Sequence, residues 1–349
     1  MKRFALLIAA SSLALAGATA AADDDSNGPF HEQATTSSGS VSVDGSAIDY
    51  QAVAGTLIVH PKGWNDVKDK DNKDNPDAVA SMFYVAYFKK GAVAANRPIT
   101  FLYNGGPGSS SVWVHMGAFG PRRVVVNDAT HTPAAPYSVV NNDESLLDAS
   151  DLVFVDAPGT GFSRIAGKDK EKSFYGVDQD IHAYTSFIQQ FLSKYGRWNS
   201  PKYLFGESYG TMRSAGLAYS LQDEANIDLN GVILLSQVLN WDSIPDQPQD
   251  NPGVDIPYQL ALPSYAATAW YHHKLPHQPG DLVAFLHTVE QFAMTDYALA
   301  LAKGTSLDPR RRAAIARKRH QYTCLSVGSI LKFDLRIACG PFQLQLMAD

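Results

Sequence analysis

The feature that most constrains this fold is a strand-like run, residues 202–205, that leads at once into the sequence GESYG at residues 206–210. A G-x-S-x-G motif between a strand and a helix is typical of a nucleophile elbow, a strained turn that lifts the serine oxygen above the sheet edge. Glycines flank the serine because side chains there would clash. The following helix N-terminus points at that oxygen. The segment therefore predicts a nucleophilic serine, Ser208, on a strand–turn–helix unit.

The rest of the chain alternates strand-like and helical patterns. Six strands are predicted, at residues 48–60, 81–88, 98–103, 152–156, 202–205 and 231–236. Several are continuous apolar runs, as strands buried on both faces should be. A helical repeat between Ile181 and Tyr195 separates two of them. The alternation predicts an α/β core at residues 46–240, with a mostly parallel central sheet and helices on both faces. Residues 241–349 are predicted to form a helical cap-like region.

The N-terminal residues indicate export. Two basic residues precede a short apolar run and then small residues, so residues 1–22 read as a signal peptide and the mature protein is expected to be secreted or periplasmic. The apolar run is too short for a stable membrane anchor. Residues 23–45 are rich in Ser, Thr and Gly without periodicity, and we expect a flexible leader there.

Composition excludes several classes of function. With 45% hydrophobic and 18% charged residues the chain is globular, and a net charge of -6 without a basic stripe argues against a nucleic-acid partner. Two distant cysteines, Cys324 and Cys339, exclude zinc-ribbon, iron–sulfur and disulfide-scaffold folds. Residues 66–77 are rich in Asp but lack the Gly and Glu that a calcium loop needs. We therefore expect no metal and no cofactor.

Two further glycine-rich loops follow predicted strands, NGGPGSSS at residues 104–111 and DAPGTGFS at residues 156–163. Loops after parallel strands converge on one cleft at the carboxyl edge of a sheet. Acyl transfer needs two N–H donors at the developing oxyanion, and the N–H groups of Gly106 and Tyr209 are the candidates. The alternative interpretation of residues 104–111 is a flexible connector with no role in catalysis. A phosphate loop is excluded because no G-x-x-x-x-G-K-[ST] occurs.

The motifs NGGPGSSS, DAPGTGFS and GESYG, in this order, resemble the serine carboxypeptidase family (peptidase family S10) of the α/β-hydrolase superfamily, most strongly over residues 81–237. The resemblance implies an enzyme that hydrolyses C-terminal peptide bonds through an acyl-enzyme. Its implied site residues are the nucleophile Ser208, the oxyanion donors Gly106 and Tyr209, and a carboxylate-binding group of Asn104, Gly105 and Glu207. The implied partner is a peptide with a free C-terminal carboxylate. A protonated Glu207 can donate to that carboxylate, which favours acidic pH.

Two departures from the family pattern leave alternatives open. The family usually has Trp and a second Glu where this chain has Leu102 and Ala118. A carboxylesterase or acyltransferase on the same scaffold therefore remains possible, as does a catalytically inactive fragment. The sequence does not determine the preferred side chain of the substrate or the oligomeric state.

The catalytic acid and histidine cannot be placed in the sequence. In this superfamily they follow the seventh and eighth strands, and only six strands are predicted. The histidines after Ser208 are expected on helical or surface segments, and they are His272, His273, His277, His287 and His320. We therefore expect that the last strands are missing, that hydrolysis is impaired, and that strand 231–236 is an exposed sheet edge that promotes self-association.

Overall fold

A computed structural model describes residues 29–65, 77–127, 131–244 and 251–348. The expected signal peptide and nearly all of the Asp-rich segment 66–77 lie outside the described residues. The strands are β1 Ala34–Val43, β2 Ser46–Val59, β3 Val79–Lys89, β4 Ile99–Tyr103, β5 Arg122–Val124, β6 Val139–Asn141, β7 Asp151–Val155, β8 Arg164–Ala166, β9 Lys202–Glu207 and β10 Gly231–Leu235.

The described helices form two groups, one within the α/β core and one after its last strand. The first group is α1 Val112–Val114, α2 Lys170–Phe174, α3 Val177–Lys194 and α4 Tyr209–Asp223. The second is α5 Ile256–Tyr271, α6 Leu282–Phe292, α7 Ala298–Lys303, α8 Pro309–Thr323, α9 Val327–Lys332 and α10 Cys339–Met347. Single π-helical turns extend α1 over His115–Phe119 and α6 over Ala293–Tyr297.

One mixed sheet organises the core. Its strand order is β1-β2-β3-β7-β4-β9-β10, with β8 paired to β3, while β5 and β6 form a separate hairpin. The strands β7, β4, β9 and β10 are mutually parallel, and β1, β2 and β3 join them antiparallel. The parallel half fits the predicted α/β-hydrolase-like core, and its carboxyl ends lie at one edge, where the three glycine-rich loops begin.

All six predicted strands are present, and the apolar runs explain why. The strands β4 and β7 are buried along their whole length. The expectation of a flexible leader was wrong for Ala34–Val43, which forms β1 along the whole of its pairing with β2. Most side chains of this edge strand are exposed, and only Val41 and Val43 are buried. An edge strand exposed on both faces over most of its length carries no apolar run, so the pattern was missed.

The two faces of the sheet are covered differently. Helices α3 and α4 pack together on one face, where residues such as Phe187, Phe191 and Leu217 join the main core cluster. Among the described residues, the other face is covered by α1 with its π-helical turn and by residues near Leu147, through contacts that include Val114. The long core helices therefore lie on one face only.

The described residues after β10 form mainly helices. Helices α5 to α10 enclose a hydrophobic cluster of their own, which includes Leu262, Tyr297 and Phe342. In the part of the chain that the structure describes, no helix is both long enough and apolar enough to cross a membrane.

Within the described ranges the strand β10 forms one edge of the sheet, because it pairs there with β9 alone. The four apolar side chains from Val232 to Leu235 are 39% to 42% exposed. Their alternation places them on both faces of the sheet. This agrees with the expectation that residues 231–236 form an exposed edge.

Candidate active site

Ser208 lies at the turn between β9 and α4, in a backbone conformation that non-glycine residues rarely adopt. Its φ is 57° and its ψ is -125°. The turn is fixed on both sides, since the Ser208 N–H donates to the Leu235 carbonyl at 3.0 Å and its carbonyl accepts from the Thr211 N–H at 2.9 Å. Strain that a turn holds in this way is a property of nucleophile elbows. The structure thus places Ser208 as the motif predicted.

The glycines around the turn are required by contact as well as by conformation. A Cβ on Gly206 would lie 2.5 Å from the Ser214 hydroxyl and closer still to the Gly210 carbonyl. A Cβ on Gly105 would lie 2.8 Å from both the Glu207 carbonyl oxygen and the Gly210 nitrogen. The loop at residues 104–111 therefore packs directly against the elbow, backbone to backbone.

Asn104 joins this loop to the elbow through its side chain. Its Nδ2 donates to Glu207 Oε2 at 2.9 Å, and its Oδ1 accepts from the Val114 N–H at 3.0 Å. The main-chain carbonyl of Asn104 accepts from Arg213 Nη1 at 2.8 Å. Because Oδ1 and the carbonyl are occupied and the amide nitrogen carries two hydrogens, one N–H of this buried side chain is left for a ligand.

The two N–H groups assigned to the oxyanion lie in this same region. Tyr209 is the first residue of α4, so its N–H has no acceptor within the helix. Gly106 belongs to the loop that packs on the elbow and has a φ of 103°. Within the described residues neither N–H donates to another protein group. Both N–H groups therefore lack a protein acceptor in the described part of the chain.

The third loop meets the second through Asp156. Asp156 Oδ1 accepts from the N–H and the hydroxyl of Ser111, each at 2.8 Å, and Oδ2 accepts from the Phe162 N–H at 3.0 Å. Three donors satisfy this buried carboxylate, so it fixes the two glycine-rich loops to each other. The loops converge as the strand order predicted.

An ion pair behind the elbow was not expected from the sequence. Arg213 on α4 is 1% exposed, and its Nε donates to Asp180 Oδ2 on α3 at 2.7 Å. Tyr209 lies beside it, and burial together with the negative charge of Asp180 raises the pKa of Tyr209 to about 12. This phenol is therefore neutral at physiological pH.

A cavity of about 600 Å³ opens beside the N-terminus of α4. Its walls are mainly apolar, with Met212 and Trp241 among them, and Arg213 and Asp180 contribute to its lining. The remaining walls come from Pro107, Gly108, Ala157, Pro158, Gly159, Thr160, Phe174, Tyr175, Gly176, Val177 and Tyr209. The cavity thus joins the two glycine-rich loops to the start of α3.

In the described part of the chain, several histidines contact groups other than Ser208. No hydrogen bond joins Ser208 Oγ to a histidine there. His320 Nδ1 lies 2.8 Å from the Leu325 carbonyl oxygen, and His287 is exposed on α6 near Glu290. His115 is bonded to the Tyr87 hydroxyl at 2.8 Å, and burial lowers the pKa of His115 to about 4. The structure therefore does not bring a histidine to Ser208 from the described residues.

The two departures from the family pattern have structural roles of their own. Leu102 is fully buried in the core on the α1 face of the sheet. Ala118 contributes its carbonyl oxygen, which accepts from Asn142 Nδ2. Neither position supplies a second carboxyl group, and the described residues include no cluster of three or more groups that could hold a metal.

Comparison with known proteins agrees with this arrangement. Pheromone-processing carboxypeptidase KEX1 of Yarrowia lipolytica is 33% identical over 141 residues, which is 40% of this chain and 21% of that protein. Serine carboxypeptidase-like 33 of Arabidopsis thaliana is 25% identical over 184 residues, 52% of this chain and 37% of that relative. The chain thus spans well under half the length of these relatives.

A solved structure gives a weaker likeness. The crystal structure of Kex1(delta)p, a prohormone-processing carboxypeptidase from Saccharomyces cerevisiae, aligns with a TM-score of 0.44 at 20% identity, over 78% of this chain and 53% of that chain. The family model for serine carboxypeptidases matches residues 71–247, just over half of the sequence and a range that includes all three glycine-rich loops. The chain therefore belongs to the serine carboxypeptidase family, peptidase family S10.

Proposed function

We propose that this chain carries the nucleophile and the substrate-binding groups of a serine-type carboxypeptidase. Ser208 is the nucleophile, the N–H groups of Gly106 and Tyr209 bind the oxyanion, and Asn104, Gly105 and Glu207 bind the C-terminal carboxylate of a peptide. The observation that carries the proposal is the hydrogen bond from Asn104 to Glu207, which joins the loop after β4 to the elbow. This bond joins an amide donor to the carboxyl group of Glu207, the residue before Ser208, and so supports the proposal.

The chemistry proceeds in two acyl transfers. Ser208 Oγ attacks the last peptide carbonyl, and the resulting oxyanion lies between the two N–H donors. The tetrahedral intermediate collapses to an acyl-enzyme as the C–N bond breaks and the C-terminal amino acid leaves with a proton. Water then attacks the ester and returns Ser208 to its free form. Each attack needs a base that accepts the proton of the nucleophile.

The rate of hydrolysis that we expect from this chain alone is limited by whether a base can accept the proton of Ser208. Loss of one triad member reduces catalysis by several powers of ten, while the oxyanion site and substrate binding keep a residual rate. Since none of the described histidines contacts Ser208, we propose that the 349-residue chain binds substrate and hydrolyses it slowly. Reaction of a fluorophosphonate probe with Ser208 at a rate ordinary for active serine hydrolases would contradict this.

Recognition of the carboxylate depends on two donors. Asn104 offers its remaining N–H, and Glu207 offers a hydroxyl when it is protonated, whereas an ionised Glu207 repels the ligand. The side chain of Glu207 receives one hydrogen bond, from Asn104. The proposed site therefore binds a C-terminal carboxylate through Asn104 and through the protonated form of Glu207.

A carboxylesterase or acyltransferase is the second candidate. It is favoured by Leu102 and Ala118, which provide no second carboxyl group at the positions where the family usually has Trp and Glu. A substrate whose leaving group is neutral does not need a protonated Glu207. The two candidates therefore differ in whether binding distinguishes a carboxylate from its amide.

The deciding experiment measures binding of N-acetyl-Phe-Leu and of its carboxamide by calorimetry, in Ser208→Ala protein so that neither ligand turns over. A carboxypeptidase site prefers the acid. Ser208→Ala protein that also carries Glu207→Gln should keep or increase this preference, because the glutamine amide donates a hydrogen bond and carries no negative charge. Equal affinity for acid and amide at every pH would refute the carboxypeptidase assignment and favour the second candidate.

Export from the cytoplasm is part of the proposal. The basic, apolar and small-residue order within residues 1–22 supports cleavage of a signal peptide and a secreted or periplasmic location. Expression of the full chain in a bacterium, followed by fractionation and N-terminal sequencing, tests it. An intact N-terminus in the cytoplasmic fraction would contradict the proposal.

A further inference from the structure

Arg213 connects three elements whose relative positions matter for the proposed function. It lies in the second turn of α4, directly behind the elbow. Its Nε donates to Asp180 on α3 at 2.7 Å, and its Nη1 donates to the carbonyl oxygen of Asn104, after β4, at 2.8 Å. One buried guanidinium thus joins the elbow helix, a neighbouring helix and the loop of the oxyanion donors.

Aromatic rings fix the plane of this guanidinium. Its central carbon lies 4.5 Å from the ring centre of Tyr184, 5.2 Å from that of Tyr103 and 5.3 Å from that of Tyr209. Cations at these distances are attracted to the ring faces. The planar fork of arginine can hold two acceptors in fixed directions, which the single ammonium group of lysine cannot reproduce.

We infer that Arg213 is a positioning residue for the carboxylate-binding and oxyanion groups. The carbonyl that it binds belongs to the peptide unit between Asn104 and Gly105, so the bond fixes the plane of that unit. The direction of that plane sets where the Asn104 side chain and the N–H of Gly106 point. Asp180 holds the guanidinium in place from behind. This inference rests on the proposed function, because it assigns Arg213 a role through those groups.

A matched buried pair distinguishes positioning from simple stabilisation. Arg197 is 3% exposed, donates to Asp151 at 2.6 Å and also donates to a main-chain carbonyl, that of Arg97, at 2.9 Å. Asp151 begins β7, so this pair lies at the opposite edge of the parallel strands from Ser208. Arg197→Lys therefore removes a similar buried fork without touching the elbow.

The first measurement is hydrogen exchange by mass spectrometry, which needs no ligand. The reporters are the amides of Ser109, bonded to the Gly105 carbonyl, and of Val114, bonded to Asn104 Oδ1. Arg213→Lys should speed their exchange by about tenfold or more relative to the strands β3 and β9, and Arg197→Lys should not. Should Arg213→Lys fail to fold, Asp180→Asn keeps an acceptor for Arg213 and should give the same pattern with a smaller change.

The second measurement is the preference for N-acetyl-Phe-Leu over its carboxamide. Arg213→Lys should reduce that preference by about tenfold, since the lysine ammonium cannot hold both acceptors and Asn104 is misplaced, while Arg197→Lys retains it. Because Arg213 lines the 600 Å³ cavity, methylguanidinium should enter the space left in Arg213→Ala and restore the preference, and urea should not. Unchanged exchange at Ser109 and Val114 would overturn the inference. A lack of acid preference in otherwise normal protein, with exchange altered as expected, would instead refute the proposed function.

Discussion

Replacement of Gly105 by alanine tests the backbone contact on which the site depends. Gly105 has no positive φ, so conformational strain does not complicate the change. The new methyl group would lie 2.8 Å from the Glu207 carbonyl oxygen and from the Gly210 nitrogen. The Tyr209 nitrogen would lie closer still, so an ordinary contact near 3.4 Å requires the loop or the elbow to retreat by roughly 1 Å. All the neighbouring atoms are main-chain atoms, which cannot rotate away.

The magnitude follows from the kind of clash. Overpacking of a well-packed site costs about 1–3 kcal/mol, so thermal or urea unfolding of Gly105→Ala should show a loss of that size. A displacement approaching 1 Å at a reacting centre reduces rates by about 100-fold, so fluorophosphonate labelling of Ser208 should fall by that order. Labelling is followed by intact-mass spectrometry over long incubations, because the unmodified chain is itself expected to react slowly.

The control is Gly117→Ala, in the π-helical turn that follows α1. A Cβ there would meet its nearest neighbour, the Val112 carbonyl oxygen, at 3.9 Å, an ordinary contact. This variant should keep both the stability and the labelling rate of the parent chain. If Gly105→Ala matched Gly117→Ala in labelling, the loop at residues 104–111 would not contribute to the reaction at Ser208.

Three further outcomes follow from the structure. Ser208→Gly should raise the free energy of unfolding by about 1 kcal/mol, since glycine accepts a φ of 57°, and a less stable variant would contradict the strain. The pKa of His115 is lowered from 6.5 to about 4 in the folded state, so the free energy of unfolding is unaffected by this group above pH 6.5 and falls by up to about 3 kcal/mol as the pH drops towards 4. Urea titrations of His115→Gln at several pH values should therefore show a weaker pH dependence of stability. An unchanged pH dependence would refute this. Ile233→Lys should reduce self-association in sedimentation velocity, whereas Val126→Lys, exposed outside the sheet edge, should not; a parent chain that is already monomeric would refute the edge argument.

Local sequence predicted the strands whose burial leaves an apolar run. It missed the three-residue strands β5, β6 and β8, and it missed β1, whose environment favours small residues. Along β1, Gly39 faces the Tyr50 ring, and a Cβ there would lie 2.5 Å from the phenol oxygen. The small and hydroxylated residues that suggested a flexible leader are thus compatible with an exposed strand over an aromatic ring. The alternation of Val41 and Val43 was the signal that could have identified it.

For the site, the motifs predicted which residues meet and not what holds them. Ser208, Asn104 and the glycine-rich loops were identifiable because each motif is continuous in the chain. The pair of Arg213 and Asp180 joins residues 33 positions apart on different helices, and no local pattern indicates that two such side chains face each other. A single sequence cannot reveal a contact of this kind, because it depends on how the two helices pack.

The charges around the elbow assign a particular role to Glu207. Asp156 is satisfied by three donors from two loops, and Asp180 is paired with Arg213, so neither carboxylate presents an uncompensated charge to the cleft. Glu207 receives one hydrogen bond, from the neutral amide of Asn104. In the proposed carboxypeptidase site, an anionic ligand is repelled by the ionised form of Glu207 and accepts a hydrogen bond from its protonated form. A neutral leaving group experiences neither effect, so the preference for a carboxylate over its amide distinguishes the two proposed functions.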